Sequence, residues 1–151
     1  IIMYYEQLKL ENQLCFPFYA VSRLIIRAYQ NDLDRLGITY PQYLVLMVLW
    51  EHQNLTVNEI GEKLILNTNT ITPLLKRMEA LGLIERIPSD KDQRKVIVSL
   101  SEKGKMMRED AANIPYNLIK KLGIETENVD VNEMNEMKSK LYNLIELLKN
   151  L

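Results

Sequence analysis

Apolar positions recur at helical spacing along most of this chain, with one interval where β-branched residues flank a turn-rich, charged segment. Leu14, Phe18, Val21, Ile25 and Ala28 step by four, three, four and three, which places them on one stripe of a long first helix reaching about Leu36. Gly37 is placed to stop it, and Pro41, after Thr39 and Tyr40, suits the first turn of a second helix ending near His52. Beyond a Gln53-Asn54 loop, Thr56-Val57-Asn58-Glu59 is a capping box that opens a short third helix to about Leu64. Asn67 is the expected N-cap of a fourth helix with the apolar face Ile71, Leu74, Leu75, Met78 and Leu81, closed by Gly82.

The β-branched interval follows. Leu83 to Ile87 and Lys95 to Leu100 read as two strands around a charged turn, Pro88 to Gln93, because β-branched residues flank turn-forming ones. Ser101 with Glu102 starts a fifth helix that runs to Gly123 with a kink at Pro115. Residues 123 to 129 read as a loop, and Asp130-x-x-Glu133 opens a last helix carrying Met134, Met137, Leu141, Leu144, Ile145 and Leu148 on one stripe. That stripe needs an apolar partner, either its own domain or the first helix across a dimer seam, and terminal helices flanking a compact middle favour the seam. The fold expected is mainly α with a small β-hairpin wing: a winged helix-turn-helix dimerised through its N- and C-terminal helices. The 151 residues form one domain, with dimerisation helices in 1–36 and 101–151 and the winged helix-turn-helix in 41–100.

Composition narrows the function. Hydrophobic residues at 47% with charged ones at 26% exclude the signature of disorder. No apolar run reaches the roughly 18 residues a membrane span needs, and no basic segment precedes an apolar one at the N-terminus, so neither insertion nor secretion is expected. One cysteine, Cys15, and one histidine, His52, leave no internal disulfide, no closed zinc site and no ready Cys-His pair, which fits a reducing, cytoplasmic setting without metal or cofactor. No glycine-rich phosphate loop or Ser-His-Asp set argues for an enzyme.

A net charge of -1 does not suggest a nucleic-acid binder, but the sum conceals its distribution. Residues 70 to 108 carry +4 and the remainder -5, so a basic face sits on an acidic body. On the fourth helix, Asn69, Thr72 and Lys76 recur on the face opposite the apolar one, with Thr68 and Arg77 beside them. Helix, short helix, polar-faced helix and basic hairpin, in that order, is a winged helix-turn-helix in which the fourth helix enters the major groove and the hairpin reaches a minor groove. The candidate DNA contacts are Thr68, Asn69, Thr70, Thr72, Lys76 and Arg77 on the helix, and Lys91, Asp92, Arg94 and Lys95 on the hairpin. Taken singly, each of these is more simply a solvated surface residue, and Arg94 a hairpin ion pair with Asp90 or Asp92; the order of the elements favours DNA.

Three segments carry a family resemblance: Leu81-Gly-Leu-Ile-Glu-Arg86, Asp90-Lys-Asp-Gln-Arg94 and Val98-Ser-Leu-Ser-Glu-Lys-Gly104 resemble the wing region of MarR-type transcriptional regulators. Leu10 to Arg23, Leu36 to Leu44, Leu49-Trp-Glu-His52 and Thr70 to Met78 are similar to the one-cysteine branch of the organic-hydroperoxide-resistance repressors (OhrR). The resemblance spans nearly the whole chain. It implies a homodimer on a pseudo-palindromic operator, with Asp92 orienting Arg94 in the minor groove. It further implies that Cys15 senses peroxide and that Tyr29 and Tyr40 hydrogen-bond to it across the dimer. Asn67-Thr-Asn69 stands where related repressors carry Asp-Ser-Gly, which implies a different operator, and Pro17 departs from the pattern so as to place Cys15 at a kink.

The chemistry suits that reading. Thiolates, rather than thiols, attack the O–O bond of a hydroperoxide, and hydrogen bonds from tyrosine hydroxyls favour a thiolate. Phe16 and Phe18 would make the approach apolar and favour an organic hydroperoxide. With no second cysteine in the chain, a sulfenic acid proceeds to a mixed disulfide with a small thiol, a sulfenamide or overoxidation. The function expected is a DNA-binding repressor released when Cys15 is oxidised by organic hydroperoxide. Two readings compete: a MarR-type regulator responding to a small aromatic ligand or another thiol stress, and a helical dimeric interaction module that binds no DNA. A lone cysteine on an apolar helix face is in general inert core, and tyrosines are in general interface packing.

Overall fold

The computed structural model describes residues 5–92, 94–123 and 130–151. They fall into two compact units, divided between Ile114 and Pro115. Two short 3-10 turns, Glu6–Leu8 and Leu10–Asn12, precede α1, Cys15–Leu36. Gly37 ends α1 in the left-handed region at φ 68°, its N–H donating to the Asp34 carbonyl. The Ile38 N–H returns to the Leu33 carbonyl at 3.1 Å, and both of these side chains are buried, so hydrogen bonds and apolar contact together fix the turn into the next helix.

α2, Tyr40–His52, carries a reciprocal cap between Thr39 and Gln42 and has Pro41 in its first turn, where the missing N–H needs no partner. Apolar nearly all round, it runs through the core: Tyr43, Val45, Leu46 and Leu49 are buried. Leu55–Thr56 forms a short strand, β1, before the capping box of Thr56 and Glu59 opens α3, Val57–Leu64. Asn67 caps α4, Thr68–Ala80, which buries Ile71, Leu74, Leu75 and Met78. β2, Ile84–Pro88, and β3, Val96–Leu100, complete an antiparallel sheet in the order β1-β3-β2. The expected two-stranded hairpin is thus a three-stranded sheet. β1 pairs Leu55 with Val98 and Thr56 with Ile97, too short a strand to show a period in the sequence. Gln93, within the expected turn, lies outside the described residues, as do 124–129 of the expected loop.

Two expectations about prolines are corrected. The single helix expected from Ser101 to Gly123 is two, α5, Glu102–Ala111, and α6, Ile114–Lys121, parted by Ala112 and Asn113. Pro115 cannot bond the Ala111 carbonyl and its ring would crowd it, so the chain restarts a helix with the proline in the first turn. Pro17 behaves in the same way. It is the third residue of α1, where an N–H has no intrahelical partner, so Cys15 stands at the helix start and not at a kink.

In the second unit, α7, Val131–Lys149, is capped by Asp130, which accepts from the N–H groups of Asn132 and Glu133. None of its residues is buried. Met134, Met137, Leu141, Leu147 and Leu148 are all exposed.

Candidate nucleic-acid interface and thiol site

The turn between α3 and α4 is closed tightly. Ile65 takes a left-handed conformation, Leu66 donates to the Gly61 carbonyl at 2.8 Å, and a Cβ on Gly61 would lie 2.8 Å from the Leu66 oxygen. Glycine at this point lets α3 sit directly against the start of α4. With four apolar side chains of α4 held in the core, Asn69, Lys76 and Arg77 are left in solvent, as is Thr68 at its start. Thr72 is half-buried. Thr70 is exposed but occupied, its N–H and hydroxyl both donating to the Asn67 side-chain oxygen, at 3.0 and 3.1 Å.

Arg86 on β2 reaches the Glu79 carboxylate on α4 through Nε at 3.0 Å and Nη2 at 2.7 Å, fastening the hairpin to the polar-faced helix. The guanidinium holds the Glu79 carboxyl below its usual range. Behind the hairpin, the start of α5 satisfies three successive carbonyls: Lys103 Nζ donates to Leu81, Ser101 Oγ to Gly82 and the Ser101 N–H to Leu83. Gly104 packs so closely here that a Cβ would run into the Leu83 carbonyl. Trp50 of α2 donates from Nε1 to the Gly104 carbonyl at 2.9 Å. The Leu81-Gly-Leu and Ser-Glu-Lys-Gly segments therefore face each other as donors and acceptors, a pairing that spacing alone did not disclose.

At the tip, the Ser89 N–H donates to the Lys95 carbonyl and the Lys95 N–H to the Asp92 carbonyl, both at 2.8 Å. Asp92 Oδ1 accepts from the backbone N–H of Arg94 at 3.1 Å and from its Nε at 3.2 Å. The Arg94 side chain is nonetheless 92% exposed, so one carboxylate oxygen aims the guanidinium while leaving its outer nitrogens free. Lys91 and Lys95 flank it in solvent. Lys95 helps hold the Glu59 carboxyl low, an effect due first to the hydrogen bonds from Thr56.

Cys15 is exposed at the first position of α1, and Leu14 provides no side-chain cap for the first-turn N–H groups. Phe16 and Phe18 are exposed beside it. Tyr29 and Tyr40 pack ring against ring, 5.3 Å between centroids, and Tyr43 joins them at 6.2 and 6.3 Å. Tyr43 was not anticipated, although it lies three residues after Tyr40 on the same helix. Burial raises all three phenols above their ordinary range, so the hydroxyls keep their protons at neutral pH and remain donors. Tyr29 lies fourteen positions beyond Cys15 on α1, a distance of about 21 Å along a helix. One chain therefore does not bring the thiol to the tyrosines.

An open cleft of about 580 Å³ lies elsewhere, bordered by Trp50, Gln53, Glu85 and Arg108. Among the described residues no group of three or more His, Cys, Asp or Glu could hold a metal ion, and no helix is long and apolar enough to cross a membrane.

A polar, basic helix backed by a capped short helix and tied to a charged hairpin defines a winged helix-turn-helix regulator. Residues 27–111 match the family model for the transcriptional regulator SarA/Rot, and the chain belongs to this family of transcriptional regulators. It is 47% identical over 144 residues to the organic hydroperoxide resistance transcriptional regulator of Bacillus subtilis, covering 95% of each chain. It is similar to the solved structure of reduced AbfR bound to DNA, a Staphylococcus epidermidis protein, at a TM-score of 0.79 and 37% identity over 97% of this chain and 99% of that one. Its fold is also that of AbsC, a MarR family transcriptional regulator from Streptomyces coelicolor, at a TM-score of 0.78 and 20% identity, covering 99% and 100% of the two chains. The winged-helix fold and the resemblance to MarR-type and organic-hydroperoxide-resistance regulators are borne out.

Proposed function

We propose that this protein is a homodimeric repressor that holds a pseudo-palindromic operator while Cys15 is reduced and leaves it when an organic hydroperoxide oxidises that cysteine. The observation that carries the DNA-binding half is the wing tip, where Arg94 is almost wholly solvent-exposed yet oriented by Asp92. An exposed arginine held in one direction is suited to a narrow minor groove, where the negative potential is strongest. Asn69 and Thr68 are the candidates for base edges, and Lys76 and Arg77 for phosphates. Thr70, engaged by Asn67, serves the cap.

The thiol half rests on the exposed Cys15 at a helix start and on the similarity to the organic hydroperoxide resistance regulator of Bacillus subtilis. The thiolate attacks one oxygen of R–O–O–H: an S–O bond forms, the O–O bond breaks, and the alcohol departs with a proton. A small thiol then displaces water from the sulfenic acid, leaving a mixed disulfide. The exposed stripes of α1 and α7 serve as the dimer surface, and through it the tyrosines of a second copy approach Cys15. Bulk added there shifts the helices that set the spacing of the two recognition helices.

Fluorescence anisotropy on the protein's own upstream DNA, with one equivalent of an organic hydroperoxide and a small thiol, tests both halves. Release of wild type but not of Cys15→Ser is expected. Release of Cys15→Ser at the same dose would sink the cysteine mechanism. Tight binding indifferent to oxidant would move the signal to a ligand cleft.

A further inference from the structure

Of the five prolines, four stand where a missing N–H is harmless: Pro17, Pro41 and Pro115 in first turns and Pro88 at the end of β2. Pro73 does not. It is the sixth residue of α4, where an N–H would bond the Asn69 carbonyl; proline removes that donor and crowds its ring against the same oxygen. No residue is less favourable in a helix interior. The core gains nothing in return, because Pro73 is exposed, on the side opposite Ile71, Leu74, Leu75 and Met78. Asn69, Lys76 and Ala80 surround it at helical spacing and are exposed as well. A destabilising residue thus occupies the middle of the face that α4 presents outward, beside a carbonyl deprived of its usual helix donor.

We propose that Pro73 and the Asn69 carbonyl together read one A·T base pair in each half-site; the assignment rests on the DNA-binding reading above and specifies it. In the major groove an A·T pair offers the adenine amino group as a donor and the thymine 5-methyl as an apolar contact, whereas G·C offers an amino donor without a methyl. The pyrrolidine ring takes the methyl, and the carbonyl accepts from the amino group. Being an acceptor only, the carbonyl turns away the guanine O6 and N7 edge. Alanine at position 73 would undo both contacts at once, since it loses the ring and gives its N–H to the Asn69 carbonyl. The same change relieves the helix.

The test uses the full-length reduced protein and a duplex it selects from a random pool. Each thymine of the half-site is replaced in turn by uracil, which lacks only the 5-methyl, and binding of wild type and Pro73→Ala is compared. At one thymine per half-site, uracil is expected to weaken wild type roughly fivefold, while Pro73→Ala is indifferent to it. Pro73→Ala is expected to bind the unmodified duplex roughly tenfold more weakly and yet to melt about 5 °C higher. Identical uracil profiles for the two proteins would overturn the proposal, as would a variant that melts below wild type, which makes Pro73 structural. Recovery of no duplex by wild type would overturn the DNA-binding reading itself, and this assignment with it.

Discussion

Asp92 and Arg94 show how much one short side chain decides. One oxygen of the Asp92 carboxylate holds both the backbone and the guanidinium of a residue that is otherwise in solvent. Arg94→Ala is expected to weaken DNA binding and to reduce the slope of log K against log salt by about 1, the signature of a lost charge contact. Asp92→Ala should weaken binding while leaving the charge of Arg94, and so most of the slope, in place; anisotropy titrations across salt concentrations separate the two. Glu59 and Glu79 carry a second consequence at this scale. Both carboxyls are held below their ordinary 4.5, by Thr56 and by Arg86 respectively. Their contribution to stability is therefore complete above about pH 4.5 and is lost as pH falls through the lowered folded values. Thermal melts of Glu79→Gln should accordingly lose less between pH 5 and 3 than those of wild type, within the approximate scale of this linkage.

Among the elements, the caps were the most legible part of the sequence, because a cap is a local event. Thr56 with Glu59, Asn67, Ser101 and Asp130 all perform as their residue types predict. Thr56→Ala removes one such cap and is expected to cost about 1 kcal/mol in chemical denaturation. Prolines were legible as interruptions but not in their consequence, since whether Pro17 or Pro115 kinks a helix or starts one depends on where the preceding turn has ended. Gly104 was legible only as a helix residue of poor propensity. Its reason lies across the chain, where Leu83 presents a carbonyl with no room for a methyl group. Gly104→Ala should lower stability by about 2–3 kcal/mol, or prevent folding, as overpacking does at a backbone contact.

At the scale of the whole molecule, the apolar residues left in solvent are the informative ones. Val21, Leu24 and Ile25 on α1 and Met134, Leu141 and Leu148 on α7 are exposed, though their spacing is that of buried faces. If these stripes join two copies, Leu24→Asp and Leu141→Asp should each shift the protein toward monomer in sedimentation velocity and abolish tight binding to a two-half-site duplex, leaving the helical circular dichroism of the monomer largely intact.

By itself the sequence determined what depends on neighbours along the chain: the capped helix starts, the amphipathic face of α4, the charge at the hairpin and the presence of a lone thiol. These follow from hydrogen-bond requirements and periodicity within a few residues. Only the tertiary structure decided which groups meet across long separations. It added β1 to the sheet, locked α4 to β2 through Glu79 and Arg86, set the Leu81–Leu83 carbonyls against the start of α5, and gathered Tyr43 with Tyr29 and Tyr40. The one helix that the sequence already assigned to Cys15 and Tyr29 keeps them about 21 Å apart. A rigid helix fixes the distance between its own residues, so no folding of a single chain brings that pair together.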